Sequence, residues 1–431
     1  MTQTRRRVAA IILARLRAAT LPGGASRTGQ PLDARRLGRR LALVLALAGA
    51  VSCVMVRPDR LDRHLPPEAP AGARLAERVG WYRVDGACVL LTFSAQGGLA
   101  LVGPTEPLFF HRWRHQGGDR FLRELPGEGA AARAVTFGER SWAFAWRDAT
   151  GSVVTAERCS GPYAVQEVAY QHAGARLRAT LLVPSGGSAA GAVMVHGSGT
   201  SDRDNLWYLQ IAHAMATQGI AVLFPDKRGS GESEGEWRTA SFELLAGDAA
   251  AGIRALAESG SVAREAIGVV GLSQGGHIAP LIAAHEPVAW VVNLSGGAVT
   301  MAESLRHETV ETLAQKGLPR PLARLLEPIA SAVPKRRRPV WWELNGSWDP
   351  LPHWVGLRVP ALVVYGAEDE RDNVPVQRSV ERLRSADRES LAPIRVEVFP
   401  GLGHGLFAAD RRHLHPDVLE LLTRWIRSQS P

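Results

Sequence analysis

Ser273 sits at the centre of Gly271-Leu272-Ser273-Gln274-Gly275, between the apolar run 267–271 and residues 276–285, which read as a helix. A serine hydroxyl has almost no nucleophilicity at neutral pH without a base, and the base in turn needs an acid to orient it. A Gly-x-Ser-x-Gly turn between strand and helix lifts the hydroxyl clear of a sheet, and glycine leaves room for the flanking backbone. The following helix N-terminus points N–H groups at any oxyanion that develops. The spacing therefore marks Ser273 as the candidate nucleophile.

The partners of such a serine follow it in the order acid, then histidine. After a strand at 361–365 comes Gly366-Ala-Glu-Asp369-Glu-Arg-Asp372, and after a strand at 394–399 comes Gly403-His404-Gly405. A histidine between two glycines, on a loop leaving a strand, is poorly explained as a core residue, so His404 is the candidate general base. Asp369, just past its strand end, is the first choice for the acid, with Asp372 in reserve. An oxyanion needs two backbone donors. One is the N–H of Gln274. The other belongs to the loop His196-Gly197-Ser198-Gly199, with Ser198 preferred and Gly197 next. His196 itself reads as a turn-forming hydrogen bonder, because the order places the catalytic histidine last.

These residues need a scaffold that gathers strand ends. Beyond residue 165, strands at 192–195, 220–224, 267–271, 289–294, 361–365 and 394–399 alternate with helices at 206–218, 242–258, 276–285, 376–385 and 416–428, as a mostly parallel α/β sheet requires. Roughly sixty residues, about 298–357, interrupt that alternation. They read as a helical lid and carry Trp341, Trp342, Trp348 and Trp354, either pocket lining or lid core. Residues 80–164 are different in texture. Short β-rich runs such as 87–93, 99–102, 108–110, 134–137, 142–146 and 153–156, broken by Gly, Asp or Pro, predict a small antiparallel sheet or barrel. It reads as a structural cap or a recognition module.

From about 165 to 431 the chain resembles the α/β-hydrolase superfamily, in particular its bacterial esterase and serine-aminopeptidase-like branch. The resemblance rests on the Ser273 turn, the His196-Gly-Ser-Gly199 loop, the acid and histidine loops, and Asp226-Lys-Arg-Gly-Ser-Gly-Glu-Ser233. It implies acyl transfer to water through an acyl-enzyme, a structural role for the Asp226 turn, and no metal or organic cofactor.

The net charge of +9 suggests an acidic partner, but its location does not. Residues 1–40 hold ten arginines and one acid, Asp33, so the rest of the chain is neutral and a nucleic-acid partner is disfavoured. The sixteen uncharged residues 41–56 are short for a membrane span and suit the apolar region of an export signal. Gly49-Ala-Val-Ser-Cys53 resembles a lipobox, though Ala50 stands where leucine is usual, so Cys53 lipidation competes with a plain signal peptide or a retained anchor. A Pro-rich linker follows at 57–79. An exported protein would tend to pair Cys88 with Cys159; two isolated thiols are the alternative. Lys335-Arg-Arg-Arg338 reads as a solvated loop.

The sequence thus predicts an exported, periplasmic or membrane-anchored serine hydrolase acting on small-molecule carboxylic esters. A peptidase, thioesterase or acyltransferase could use the same residues. Glu303 and Glu308, at the start of the insertion, are the acids that could anchor a peptide amine. A binding protein that keeps the fold without catalysis is the reading from a different class, and Ser273→Ala would leave its function untouched.

Overall fold

The computed structural model describes eight strands between residues 80 and 158, and then residues 159–203, 205–408 and 414–429. The arginine-rich leader, the apolar segment 41–56 with Cys53, the linker 57–79 and the run 108–110 lie outside them. Among the described residues no helix is long and apolar enough to cross a membrane.

The first strands are β1 (Gly80–Val84), β2 (Ala87–Ser94), β3 (Gly98–Val102), β4 (Trp113–His115), β5 (Arg120–Arg123), β6 (Ala134–Phe137), β7 (Ala143–Arg147) and β8 (Val153–Arg158). Each pairs antiparallel with the next, and β1 pairs with β8, so the sheet closes into a barrel and hides its own edges. Strands β4 and β5 were not legible because arginine and histidine interrupt their apolar pattern. Trp81 of β1 donates its indole N–H to the carbonyl of Tyr163 at 3.0 Å, and the Tyr163 hydroxyl pairs with His213 Nδ1 at 2.9 Å. Cys88 and Cys159 form a disulfide with Cα atoms 6.3 Å apart, which ties β2 to the segment leaving the barrel.

A second sheet of eight strands carries the rest. Its strands are β9 (Tyr163–His172), β10 (Ala175–Pro184), β11 (Ala190–Val195), β12 (Ile220–Pro225), β13 (Ile267–Leu272), β14 (Val291–Leu294), β15 (Ala361–Gly366) and β16 (Ile394–Phe399). The spatial order is β16-β15-β14-β13-β11-β12-β10-β9. Pairing is antiparallel from β9 through β10 to β12 and parallel from β12 onward. The strands β11, β12, β13 and β15 are buried along their whole length, so they read as continuous apolar runs. The edge strands β9 and β16 carry exposed residues along much of their length.

The helices are α1 (Leu206–Thr217), α2 (Phe242–Glu258), α3 (Gln274–His285), α4 (Met301–Gln315), α5 (Arg320–Ala330), α6 (Ala332–Arg337), α7 (Pro339–Asn345), α8 (Leu351–Val355), α9 (Val376–Glu389) and α10 (Pro416–Ser428). Residues from α2, α3 and α9 build the core on one face of the sheet, and α1 and α10 build it on the other. Helices α4 to α8 form the helical insertion. Thr300 and Glu303 start α4 with a reciprocal capping box, which accounts for Glu303 structurally. Lys335, Arg336 and Arg337 lie in α6, not in a loop, at its C-terminal end, where basic side chains complement the helix dipole. Trp341 and Trp354 are core residues: Trp354 is fully buried, and Trp341 meets Phe242 edge-to-face. The expected choice between pocket and core falls to core for these two.

Candidate active site

The order of the second sheet reverses between β11 and β13, because the chain first builds outward to β12 and then crosses back. Open α/β sheets bind ligands at such a switch, outside the carboxyl ends of the strands. Ser273, Asp369, His404 and the His196–Gly199 loop all follow strand ends on that side of the sheet.

Ser273 follows β13 with φ +54° and ψ −117°, a strained conformation for a non-glycine residue that recurs at functional turns. The neighbouring glycines are forced by packing. A Cβ on Gly271 would lie 2.2 Å from the carbonyl oxygen of Gly275, and one on Gly275 would lie 2.1 Å from that of Val195. Any side chain at either position would push the turn apart. The backbone N–H of Ser273 donates to Leu294 at 2.8 Å, and α3 begins at Gln274, two residues earlier than the sequence suggested.

His404, on the loop after β16, has Nε2 3.0 Å from Ser273 Oγ and Nδ1 2.7 Å from Asp369 Oδ2. Asp369 is fully buried in a short 3-10 turn after β15, and its other oxygen accepts the Asn373 N–H at 3.2 Å. The structure thus brings Ser273, His404 and Asp369 into one line. It puts Asp372 beside that line as a charge, not in it. Burial by itself would lower the His404 pKa. The Asp369 hydrogen bond and charge, with the charges of Asp372 and Glu308, outweigh burial and hold the imidazole above its ordinary value. Glu308, on α4, is a second acid near the imidazole. Burial raises its own pKa first, and the Asp372 charge adds to that.

The loop after β11 lies against this turn, since a Cβ on Gly197 would come within 3.2 Å of Ser273 Cβ. The Gly197 N–H is already committed to the Tyr208 hydroxyl at 2.6 Å. Neither the Ser198 nor the Gln274 N–H has an acceptor among the described residues. His196 bridges the Pro225 carbonyl with Nε2 and Ser201 Oγ with Nδ1, and burial lowers its pKa to about 4. The aromatic wall beside His404 comes from Trp207, with ring centroids 6.1 Å apart, and from Phe407 next to Trp207. Neither was singled out in the sequence, where attention fell on the tryptophans of the insertion.

The Asp226 turn is knit by its own side chains. Asp226 accepts the N–H groups of Arg203 and Glu232, Arg228 pairs with Asp248, and Ser233 Oγ donates to the Asp226 carbonyl. Lys227 departs from that pattern and was also missed. It points into the site, with Nζ 2.8 Å from the Gly197 carbonyl and 2.9 Å from Gln274 Oε1. Its position at the carboxyl end of β12 was the available signal.

A mostly parallel sheet with a serine turn at its switch point, an acid after one later strand and a histidine after the next defines the α/β-hydrolase class. Residues 188–354 match the family described as serine aminopeptidase, S33, and the fold of the second sheet and its helices is the α/β-hydrolase fold. Solved structures similar to it include a dienelactone hydrolase from Anabaena variabilis, at 18% identity over 62% of this chain and 99% of that one, TM-score 0.41. A proline iminopeptidase from Mycobacterium smegmatis is similar at 16% identity over 62% and 99%, TM-score 0.43. An esterase from Pyrococcus furiosus is similar at 20% identity over 61% and 92%, TM-score 0.44. No curated protein matches the chain.

Proposed function

We propose that this α/β hydrolase cleaves carboxylic esters through a covalent acyl-enzyme. The observation that carries the reading is the unbroken relay from Asp369 through His404 to Ser273, at 2.7 and 3.0 Å. In it, His404 Nε2 takes the hydroxyl proton as Ser273 Oγ attacks the acyl carbonyl. The carbonyl oxygen becomes an oxyanion held by the N–H groups of Ser198 and Gln274. Collapse of the tetrahedral intermediate expels the alcohol, which leaves with the proton from His404. Water, deprotonated by the same imidazole, attacks the acyl-enzyme and restores Ser273 with release of the acid. Asp369 fixes the tautomer and stabilises the imidazolium without taking its proton. Trp207 and Phe407 offer an apolar wall to an acyl or leaving group.

The test is fluorophosphonate labelling of the full chain with the adduct mapped by mass spectrometry. A stoichiometric adduct on Ser273, lost in Ser273→Ala and greatly slowed in His404→Ala, is expected. An unlabelled but folded protein would overturn the reading in favour of a binding protein.

Glu308 favours a second reading, cleavage of an amide that bears a free amine. It is a part-buried carboxylate close enough to His404 to raise its pKa, and it sits in no ion pair among the described residues. An ammonium group on the substrate would find its counter-charge there. Glu308→Gln should then raise KM for an aminoacyl p-nitroanilide and leave that for p-nitrophenyl acetate alone; equal effects on both would sink the amine site.

We also propose that the protein is exported and held at a membrane surface. The Cys88–Cys159 disulfide suits an oxidising compartment, and the arginine block before residues 41–56 suits an export signal. Fractionation should find the chain with membranes and its thiols blocked until reduction; free thiols in a cytosolic fraction would overturn this.

A further inference from the structure

Lys227 is a buried cation bonded to no carboxylate among the described residues. Its Nζ donates to two neutral oxygens, the Gly197 carbonyl at 2.8 Å and Gln274 Oε1 at 2.9 Å, and lies 5.1 Å from the centroid of the Trp237 ring. Taking an ammonium out of water is costly unless its remaining donors are well used. The two acceptors are what make this one informative, because each belongs to a group beside the expected oxyanion position.

The Gly197 carbonyl and the Ser198 N–H are two ends of one planar trans peptide and point in opposite directions. Fixing the carbonyl therefore fixes the N–H. The preceding peptide is pinned as well, because the Gly197 N–H donates to the Tyr208 hydroxyl at 2.6 Å. A hydrogen bond from a cation to the carbonyl also polarises the peptide and makes its N–H a stronger donor. On the other side, the Gln274 side chain is drawn to the same ammonium, which holds the first residue of α3. Both proposed oxyanion donors thus converge on one side chain.

Resting on the serine-hydrolase reading above, we propose that Lys227 is the positioning residue of the oxyanion site, clamping the Gly197–Ser198 peptide and Gln274 so that their N–H groups meet the developing charge. Lys227 touches no reacting atom. It sets the geometry and polarity of the groups that do, and so acts on the transition state more than on substrate binding.

The charge itself is adjustable at physiological pH. Burial, with the Arg338 charge adding to it and the Asp248 charge opposing it, lowers the Lys227 pKa to about 7. The charged and titratable groups around it are Arg338 before α7, Arg238, which also lies against the Trp237 ring, Asp248 on α2, His196 after β11, and Asp226 and Arg228 on its own turn. As pH rises through that range the ammonium becomes a neutral amine and the clamp weakens. His404 imposes the opposite dependence, because it must be neutral to act. The combination predicts a bell-shaped kcat profile whose alkaline limb belongs to Lys227.

The experiment compares full-length wild type with Lys227→Met, a side chain of similar length without charge, using p-nitrophenyl acetate and a fluorophosphonate. The expected result is a kcat lower by roughly ten- to a hundredfold with KM nearly unchanged, less than the hundred- to thousandfold cost of removing an oxyanion donor outright. Phosphonylation should slow in parallel with the adduct still on Ser273, and the alkaline limb should vanish while the acid limb stays. Wild-type kcat in Lys227→Met, an effect confined to KM, or an unchanged alkaline limb would each overturn the inference. If Lys227→Met does not fold, Lys227→Gln carries the same test, since its carboxamide keeps a neutral donor and should restore the fold but not the alkaline limb. Absence of any adduct on wild-type Ser273 would overturn the underlying hydrolase reading, and a labelled wild type with an indifferent Lys227→Met would overturn this inference alone.

Discussion

His404 and His196 leave the carboxyl ends of strands in the same sheet, one after β16 and the other after β11 with three strands between, and each bonds a serine hydroxyl. The His404 Nε2 to Ser273 Oγ distance is 3.0 Å, and the His196 Nδ1 to Ser201 Oγ distance is 2.9 Å. The difference lies on the far side of each ring. His404 turns its other nitrogen to the Asp369 carboxylate, with Asp372 and Glu308 nearby, and its pKa is held up against burial. His196 turns its other nitrogen to a neutral carbonyl, that of Pro225, and burial with the Lys227 charge takes its pKa down to about 4. A serine–histidine contact is therefore not in itself a catalytic unit. The carboxylate behind the ring decides whether the imidazole can accept a proton and hold it as a cation; without one, the same contact is a structural strut.

Substitutions can break this contrast in order of size. Ser273→Ala or His404→Ala should cost on the order of 10⁶ in kcat, leaving the residual rate supplied by binding and the oxyanion donors. Asp369→Asn should keep the line of contacts but favour the wrong imidazole tautomer, with a loss of about 10⁴ in kcat and little change in KM. Steady-state kinetics on p-nitrophenyl acetate would measure both, and an Asp369→Asn enzyme within tenfold of wild type would show that Asp369 is not the orienting acid. His196→Ala should behave in the opposite way. It removes the His196 partner from Pro225 O and Ser201 Oγ in a buried site, so unfolding by denaturant should report a loss of about 1–3 kcal/mol. Its kcat should fall by at most about a hundredfold, through a displaced oxyanion loop, with the acid limb of the pH profile unmoved. A larger loss than in Asp369→Asn would reverse the assignment of the two histidines.

The same contrast explains what could be read in the chain and what could not. Ser273, Asp369 and His404 were legible because each stands in a short segment whose chemistry is local: a turn that tolerates only glycine on either side, and two loops that leave apolar strands. Six strands of the second sheet were legible, most of them uninterrupted apolar runs buried on both faces; β9 and β10, whose apolar residues are interrupted by exposed ones, were not. His196 could be set aside only by chain order, since nothing in His-Gly-Ser-Gly says which carbonyl the ring will meet; Pro225 lies on another strand. Lys227, Tyr208 and Trp207 were missed for a related reason. Their roles come from pairings across 30, 11 and 197 positions in sequence, with Gly197 for the first two and His404 for the third. The tryptophans of the insertion drew attention by composition, but Trp341 and Trp354 serve its packing. The barrel was legible as a texture, and its closure through β1 and β8 depends on pairing that no local pattern encodes.

The smallest expected effect concerns the carboxylates that surround His404 without joining the relay. Asp372 and Glu308 favour the imidazolium, so each raises the pH at which His404 becomes the neutral base. Asp372→Asn should therefore move the acid limb of the kcat/KM profile downward in pH and leave the plateau where it is. The sign makes the test sharp: below the wild-type midpoint the variant should hydrolyse p-nitrophenyl acetate faster than wild type, because more of its His404 is unprotonated there. Glu308→Gln should shift the limb in the same direction, with a smaller contribution than Asp372, whose charge ranks ahead of it at His404. Salt separates this from a structural effect. Screening weakens a through-space charge more at a part-exposed site than at a buried one, so raising ionic strength should close the gap between wild type and Asp372→Asn while leaving the Asp369→Asn defect in place. An acid limb that stays put in Asp372→Asn, or moves upward, would mean that the carboxylate behind His404 acts alone and that its neighbours contribute only to the surface.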